Sequence, residues 1–176
     1  MPGIKQLLIQ QTIDAFSGRR DMSIMSALEG ITQAQASWRA SDMMPTAEQL
    51  VRHVAWAKSK YCRDGFGTPM VIDDSSVDDN GDTPGIPWEF PCGAGFAVTQ
   101  VPEIAGAVAL LDKAQAVVMD CLERSTEQSL EQAVPGRHGK SATHLFWVLL
   151  MHDAYHAGQI RTRRAACDAA HAKAHR

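Results

Sequence analysis

The chain has 176 residues, 45% of them apolar and 21% charged, a composition that suits one globular domain with one sizeable core and argues against disorder or a second domain. Seventeen Lys and Arg stand against 20 Asp and Glu, a net charge of −3, so no basic excess exists to neutralise a run of phosphates and nucleic acid is not an expected partner. The amino-terminal stretch MPGIKQLLIQQTIDAF has too short an apolar run and too many Gln for a secretion signal, and no later stretch approaches about 20 consecutive apolar residues, so a soluble, cytoplasmic protein without a membrane partner is expected.

A first helical region is predicted from about Ile4 towards Gln35, with Leu7, Leu8, Ile24, Leu28 and Ile31 among its apolar positions and Ser17-Gly18 as an interruption. Thr46-Ala47-Glu48-Gln49 then has the form of a capping box, in which two side chains each satisfy an orphaned backbone amide, so a helix should start there. It carries Leu50, His53, Val54, Ala57 and Tyr61 as one inward stripe and should fade near Gly65-Phe66-Gly67. Residues 67–101, rich in Gly, Pro and Asp, read as a long irregular connection.

A third helix is predicted from about Pro102, through Ile104, Val108, Leu111 and Val118, to roughly Glu127, with a break at Pro135-Gly136. Ser141 can cap a fourth, whose stripe is Leu145, Leu149, His152, His156 and Ile160. Four helices with one long link between the second and third give an all-α bundle. The domain is drawn over residues 1–170, with 171–176 as a tail.

The four cysteines, Cys62, Cys92, Cys121 and Cys167, are widely spaced without a CxxC pair; they are expected to be reduced, buried apolar residues. The histidines carry more. His152 and His156 are four residues apart on an apolar stripe, close enough for both rings to grip one ion. His171 and His175 repeat the spacing, but in an Ala-rich terminal segment where side chains are usually solvated, so no role is assigned to them.

Depth links His53 to the first pair. His53 lies about 10 Å along its helix from the Thr46 cap, whereas His152 and His156 lie about 16 and 22 Å from Ser141. If the two helices run antiparallel, the pair falls roughly 8 to 14 Å from the end where His53 sits, and all three rings meet. Three neutral imidazoles at one level suit one divalent transition metal, Zn²⁺, Ni²⁺ or Fe²⁺, with positions left open for water or substrate.

The segment TAEQLVRHVAWAKSK and the closing HDAYHAGQIRTRR, with its H-x-x-x-H-x-G-Q-I form, resemble the DinB-like superfamily of helical metalloproteins. The resemblance implies a four-helix bundle in up-down-down-up order, a mononuclear site on His53, His152 and His156, and a homodimer. It also implies a small-molecule substrate, with thiol-dependent transferases and metal-dependent hydrolases among the relatives. Gly158 and Gln159 match the signature as well, Gly158 as a place for close helix packing and Gln159 as an ordinary polar position. A thiol-dependent transferase is the preferred expectation, because an open metal position would hold a low-molecular-weight thiol as thiolate. A hydrolase would need a general base. Asp153 is about 100° round the helix from His152 and is expected to point away, while Glu89, with Trp88 and Phe90, sits in the long connection. A non-catalytic, stress-related metal-binding protein is the remaining alternative.

Overall fold

Fixed backbone needs at the helix ends decide where each element begins. In the computed structural model, which describes residues 2–18, 21–41, 44–72, 103–135 and 137–174, α1 (Ile4–Ile13) runs into a π-helical turn at Asp14–Gly18. Two short helices follow, α2 (Ile24–Leu28) and α3 (Gln33–Ser37). The single region expected from Ile4 towards Gln35 is therefore broken into three helices. Ser23 accepts a bond from the Ser26 amide and Thr32 one from the Gln35 amide, each starting a new helix. Between them Gly30 takes φ +66°, a left-handed conformation that glycine adopts without strain and that ends a helix.

The second long element, α4 (Ala47–Phe66), starts at the Thr46–Gln49 capping box, with Thr46 Oγ1 accepting from the Gln49 amide at 3.2 Å and Gln49 Oε1 from the Thr46 amide at 2.9 Å. It ends at Gly67, whose φ is +69° and whose amide bonds Arg63 O. Both ends fall where the sequence puts them. Beyond residue 72 the long connection, with its Trp88, Glu89 and Phe90, lies outside the described residues.

The third predicted helix is α5 (Ile104–Arg124), and at its expected end Thr126 caps a separate short helix, α6 (Glu127–Glu131). After an isolated bridge between Ala133 and Ser141, α7 (Ala142–Ala174) begins with Ser141 Oγ accepting from the His144 amide at 3.3 Å. The helix continues through the segment drawn as a tail, as far as Ala174.

Contacts along the long helices give their directions. From one end of α4 to the other, Pro45 O meets Arg163, Lys58 meets Asp153, and Gly65 lies against Leu145. The numbers fall on α7 as they rise on α4, so the two are antiparallel. The approach is close at Gly65, where a Cβ would stand 2.9 Å from Leu145 Cδ1. Lys58 also meets Gln115, and Leu50 and Val54 share one apolar cluster with Ala107 and Leu111 while Cys62 shares the other with Val118 and Leu122, so α4 and α5 are parallel.

Two apolar clusters fill the interior. One gathers Ile24, Leu50, Val54, Leu111, Ala157 and Ile160; the other gathers Leu8, Cys62, Val118, Leu122, Leu145 and Leu149. Each large aliphatic side chain removed from water contributes about 1.5–3 kcal/mol. Between the clusters, on α4, α5 and α7 respectively, come Lys58, Gln115 and Asp153, all buried. Among the described residues no helix is long and apolar enough to cross a membrane.

Candidate metal centre

Capping sets the register that brings the histidines together. His53 sits two turns into α4, and His152 and His156 face it from the antiparallel α7. His152 Nε2 is 3.1 Å from His53 Nε2 and 3.0 Å from His156 Nε2. One nitrogen from each of the three rings lies within 4.8 Å of the others. Nitrogens bound at about 2.0–2.1 Å to a common ion stand about 3.0–3.4 Å apart, so these separations fit a metal ion.

Protonation favours the same chemistry. Burial pushes His53 down to about 4, helped by repulsion from His156. Burial likewise pushes His152 down to about 2, with His156, His53 and Lys58 adding to the effect. His156 falls to about 4, again through burial, with Gln159 opposing and Arg163 assisting. All three rings are neutral near pH 7 and have lone pairs to donate.

Gln159 decides which nitrogen carries the lone pair on His156. Its Oε1 lies 2.8 Å from His156 Nδ1. A carbonyl oxygen can only accept, so the proton resides on Nδ1 and Nε2 is left free to bind a cation. Gln159 is thus more than an ordinary polar helix residue. Gly158 fails as a close-packing position: it is exposed and a Cβ there would meet nothing within 4 Å.

Aromatic rings flank the cluster. Trp56 stacks on His53 at 6.2 Å between centroids, and Tyr155, 52% exposed, sets its ring edge-on to His156 at 5.1 Å. On the inner side Asp153 turns into the core, and its Oδ2 bonds Lys58 Nζ at 2.6 Å. Gln115 Oε1 accepts a second bond from Lys58 at 3.0 Å, and the Phe16 ring lies 5.7 Å away. Burial raises the Asp153 carboxyl while the Lys58 cation works against it. Oδ2 of Asp153 is thus tied to Lys58, while its buried Oδ1 has no hydrogen-bond partner.

Lys58 and Gln115 were not singled out in the sequence, although a signal exists. Lys58 stands four residues from both Val54 and Cys62, and Gln115 four from Leu111, all on apolar stripes. His171 is exposed on the last turns of α7, with its Nδ1 3.7 Å from Cys167 Sγ, and His175 lies outside the described residues.

The helices gather three histidine nitrogens within 4.8 Å of one another, an arrangement that could hold a metal ion. The DinB superfamily matches residues 16–160, and the chain belongs to it. Comparison with curated proteins and with solved structures returned no match.

Proposed function

We propose that the chain is a DinB-type four-helix bundle, with α1, α4, α5 and α7 in up-down-down-up order, that holds one divalent transition metal, Zn²⁺ or Ni²⁺ ahead of Fe²⁺, on Nε2 of His53, His152 and His156. The convergence of those three nitrogens carries this reading. Bound there, the ion would keep coordination positions open and take a low-molecular-weight thiol as its thiolate, the nucleophile of a transferase.

The surrounding residues have compatible tasks. Gln159 orients His156. Trp56 and Tyr155 place apolar surface beside the ligands, where an electrophile can lie. Asp153, the carboxylate nearest in sequence, is 1% exposed and bonded to Lys58 in the core, away from water, which favours thiol transfer over hydrolysis.

The test is elemental analysis of untagged protein, which should give about one metal per chain. His53→Ala and His152→Ala should lose it while keeping helical circular dichroism. Co²⁺-loaded protein should gain a sulfur-to-cobalt charge-transfer band on addition of a small thiol. Equal metal in wild type and both variants refutes the ligand set; a silent Co²⁺ spectrum refutes only the thiol.

The partner proposed is a second copy. Trp147, Met151 and Tyr155, 45%, 65% and 52% exposed, stand four residues apart along α7, a continuous apolar strip that two identical helices can cover mutually. Light scattering should give a dimer mass, and Met151→Lys a monomer. A monomeric wild type at micromolar concentration removes this part.

A further inference from the structure

The last turn of α4 carries a charge imbalance well away from the histidines. Asp64 is met there by three cations: Arg63 Nε donates to Oδ1 at 3.1 Å, while Lys60 Nζ, at 3.0 Å, and Arg137 Nη2 both donate to Oδ2. One carboxylate against three cations leaves this group of four side chains at +2, in a chain whose net charge is −3. The side chains of Lys60, Arg63 and Arg137 are only 17%, 35% and 19% exposed, so water screens them incompletely and their mutual repulsion persists. A second anion would relieve it.

Arg137 is the best prepared of the three. It belongs to the loop before α7, where its amide donates to Val134 O at 3.2 Å and its carbonyl accepts from the Lys140 amide at 2.9 Å. Its guanidinium carbon stands 4.4 Å from the centroid of the Tyr61 ring, a cation–π contact. Held by Asp64, by a ring face and by its own backbone, this guanidinium loses little freedom when a ligand arrives. Among the described residues Asp64 is the only acceptor that it meets, and its other N–H groups supply the forked donors that an oxyanion accepts.

From this cluster we propose that Arg137, Lys60 and Arg63 bind one phosphate group, at a site separate from the metal centre. Asp64 lies eleven residues beyond His53 on α4, about 16 Å along the helix axis. A phosphate group carries close to two negative charges at neutral pH and several acceptor oxygens, so it matches both the excess charge and the supply of donors. The rest of the molecule limits the size of the ligand. A net charge of −3 repels an extended polyanion such as nucleic acid or an anionic membrane surface, whereas a local +2 suits one small dianion, free phosphate or the phosphate end of a small ester. Asp64 is a positioning residue here: it gathers the cations and makes no contact with the anion.

The experiment uses the whole chain with its native metal content. Inorganic phosphate is titrated at an ionic strength held constant with sodium chloride, and backbone amide shifts are followed by NMR. Saturable shifts should fall on Tyr61, Asp64, Arg137 and the loop neighbours of Arg137. Arg137→Gln should weaken binding about tenfold or more while keeping helical circular dichroism. Lys60→Gln should weaken it as well, and takes over the test if Arg137→Gln does not fold. His152→Ala should bind phosphate as the wild type does, whatever becomes of its metal. Methyl phosphate, in a second arm, separates the two sources: an affinity equal to that of the inorganic ion assigns an ester, a lower one the free ion. Shifts no larger than in the chloride control, shifts centred on His53, His152 and His156, or an affinity unchanged in both charge variants would each overturn the proposal.

Discussion

Gln159 reaches His156 within one turn of α7, and its carbonyl oxygen can hold only one tautomer of that ring. Gln159→Leu removes the acceptor with little change in size. Metal affinity should fall about 10- to 100-fold, as read by competition with a chromophoric chelator, with helical content unchanged. An unaltered affinity would mean that packing alone orients the ring. The depressed histidines make a second prediction, for the metal-free protein. Below about 6.5 the unfolded chain takes up protons that the folded chain refuses until about 4 at His53 and His156 and about 2 at His152. Stability is therefore full above the unfolded value and is lost as pH falls through that window. Urea midpoints should drop between pH 7.5 and 5, and the drop should shrink in His152→Gln. The positions of the three histidines were legible in the sequence because a polar residue on an apolar stripe stands out against its neighbours. Lys58 and Gln115 are not legible in the same way, because each has its partner on another element and only the packed helices reveal the match; Gln159 matches the signature, but its bond to His156 shows only in the structure.

At the level of elements, the capping boxes have the most direct consequences. Thr46→Ala removes the acceptor for the Gln49 amide and leaves the residue-46 amide to bond Gln49 Oε1 as before, so it should destabilise the protein by about 1 kcal/mol. Urea denaturation monitored by circular dichroism measures this, and a change under a few tenths would assign the start of α4 to packing instead. The same local chemistry explains where the sequence reading succeeded and where it fell short. Thr46 was read as a cap and α4 begins there. Ser23, Thr32 and Thr126 also cap helices, but the first two lie within a run whose apolar spacing suits one longer helix, so α2 and α3 merge into it, and α6 is too short for its spacing to register. Helix spacing alone does not show a break when the interrupting residues are few and polar, as Ser23 and Thr32 are.

For the molecule as a whole, the antiparallel placing of α4 and α7 was legible because the rise per residue is fixed and both helices have identifiable caps. Depth measured from Thr46 and from Ser141 was enough to bring three remote histidines to one level. The fate of the connection after residue 72 was not, since a segment rich in Gly, Pro and Asp has no periodicity to orient it. The buried stratum of Lys58, Gln115 and Asp153 has a consequence for uniqueness. Sliding α7 by one turn, about 5.4 Å, would still set apolar side chains against apolar side chains in the two clusters, which are built mainly of Leu, Ile, Val and Ala. The same slide would strand an ammonium and a carboxylate in hydrocarbon, each several kcal/mol out of balance. The ion pair thus acts as an index mark, telling equivalent apolar surfaces which alignment is the right one. A chain carrying Lys58→Met, Gln115→Leu and Asp153→Leu together should unfold at an equal or higher temperature. Its amide spectrum should nonetheless show doubled or broadened resonances along α7, as several alignments share the population. Single, sharp resonances throughout would show that side-chain shape alone suffices to choose the alignment.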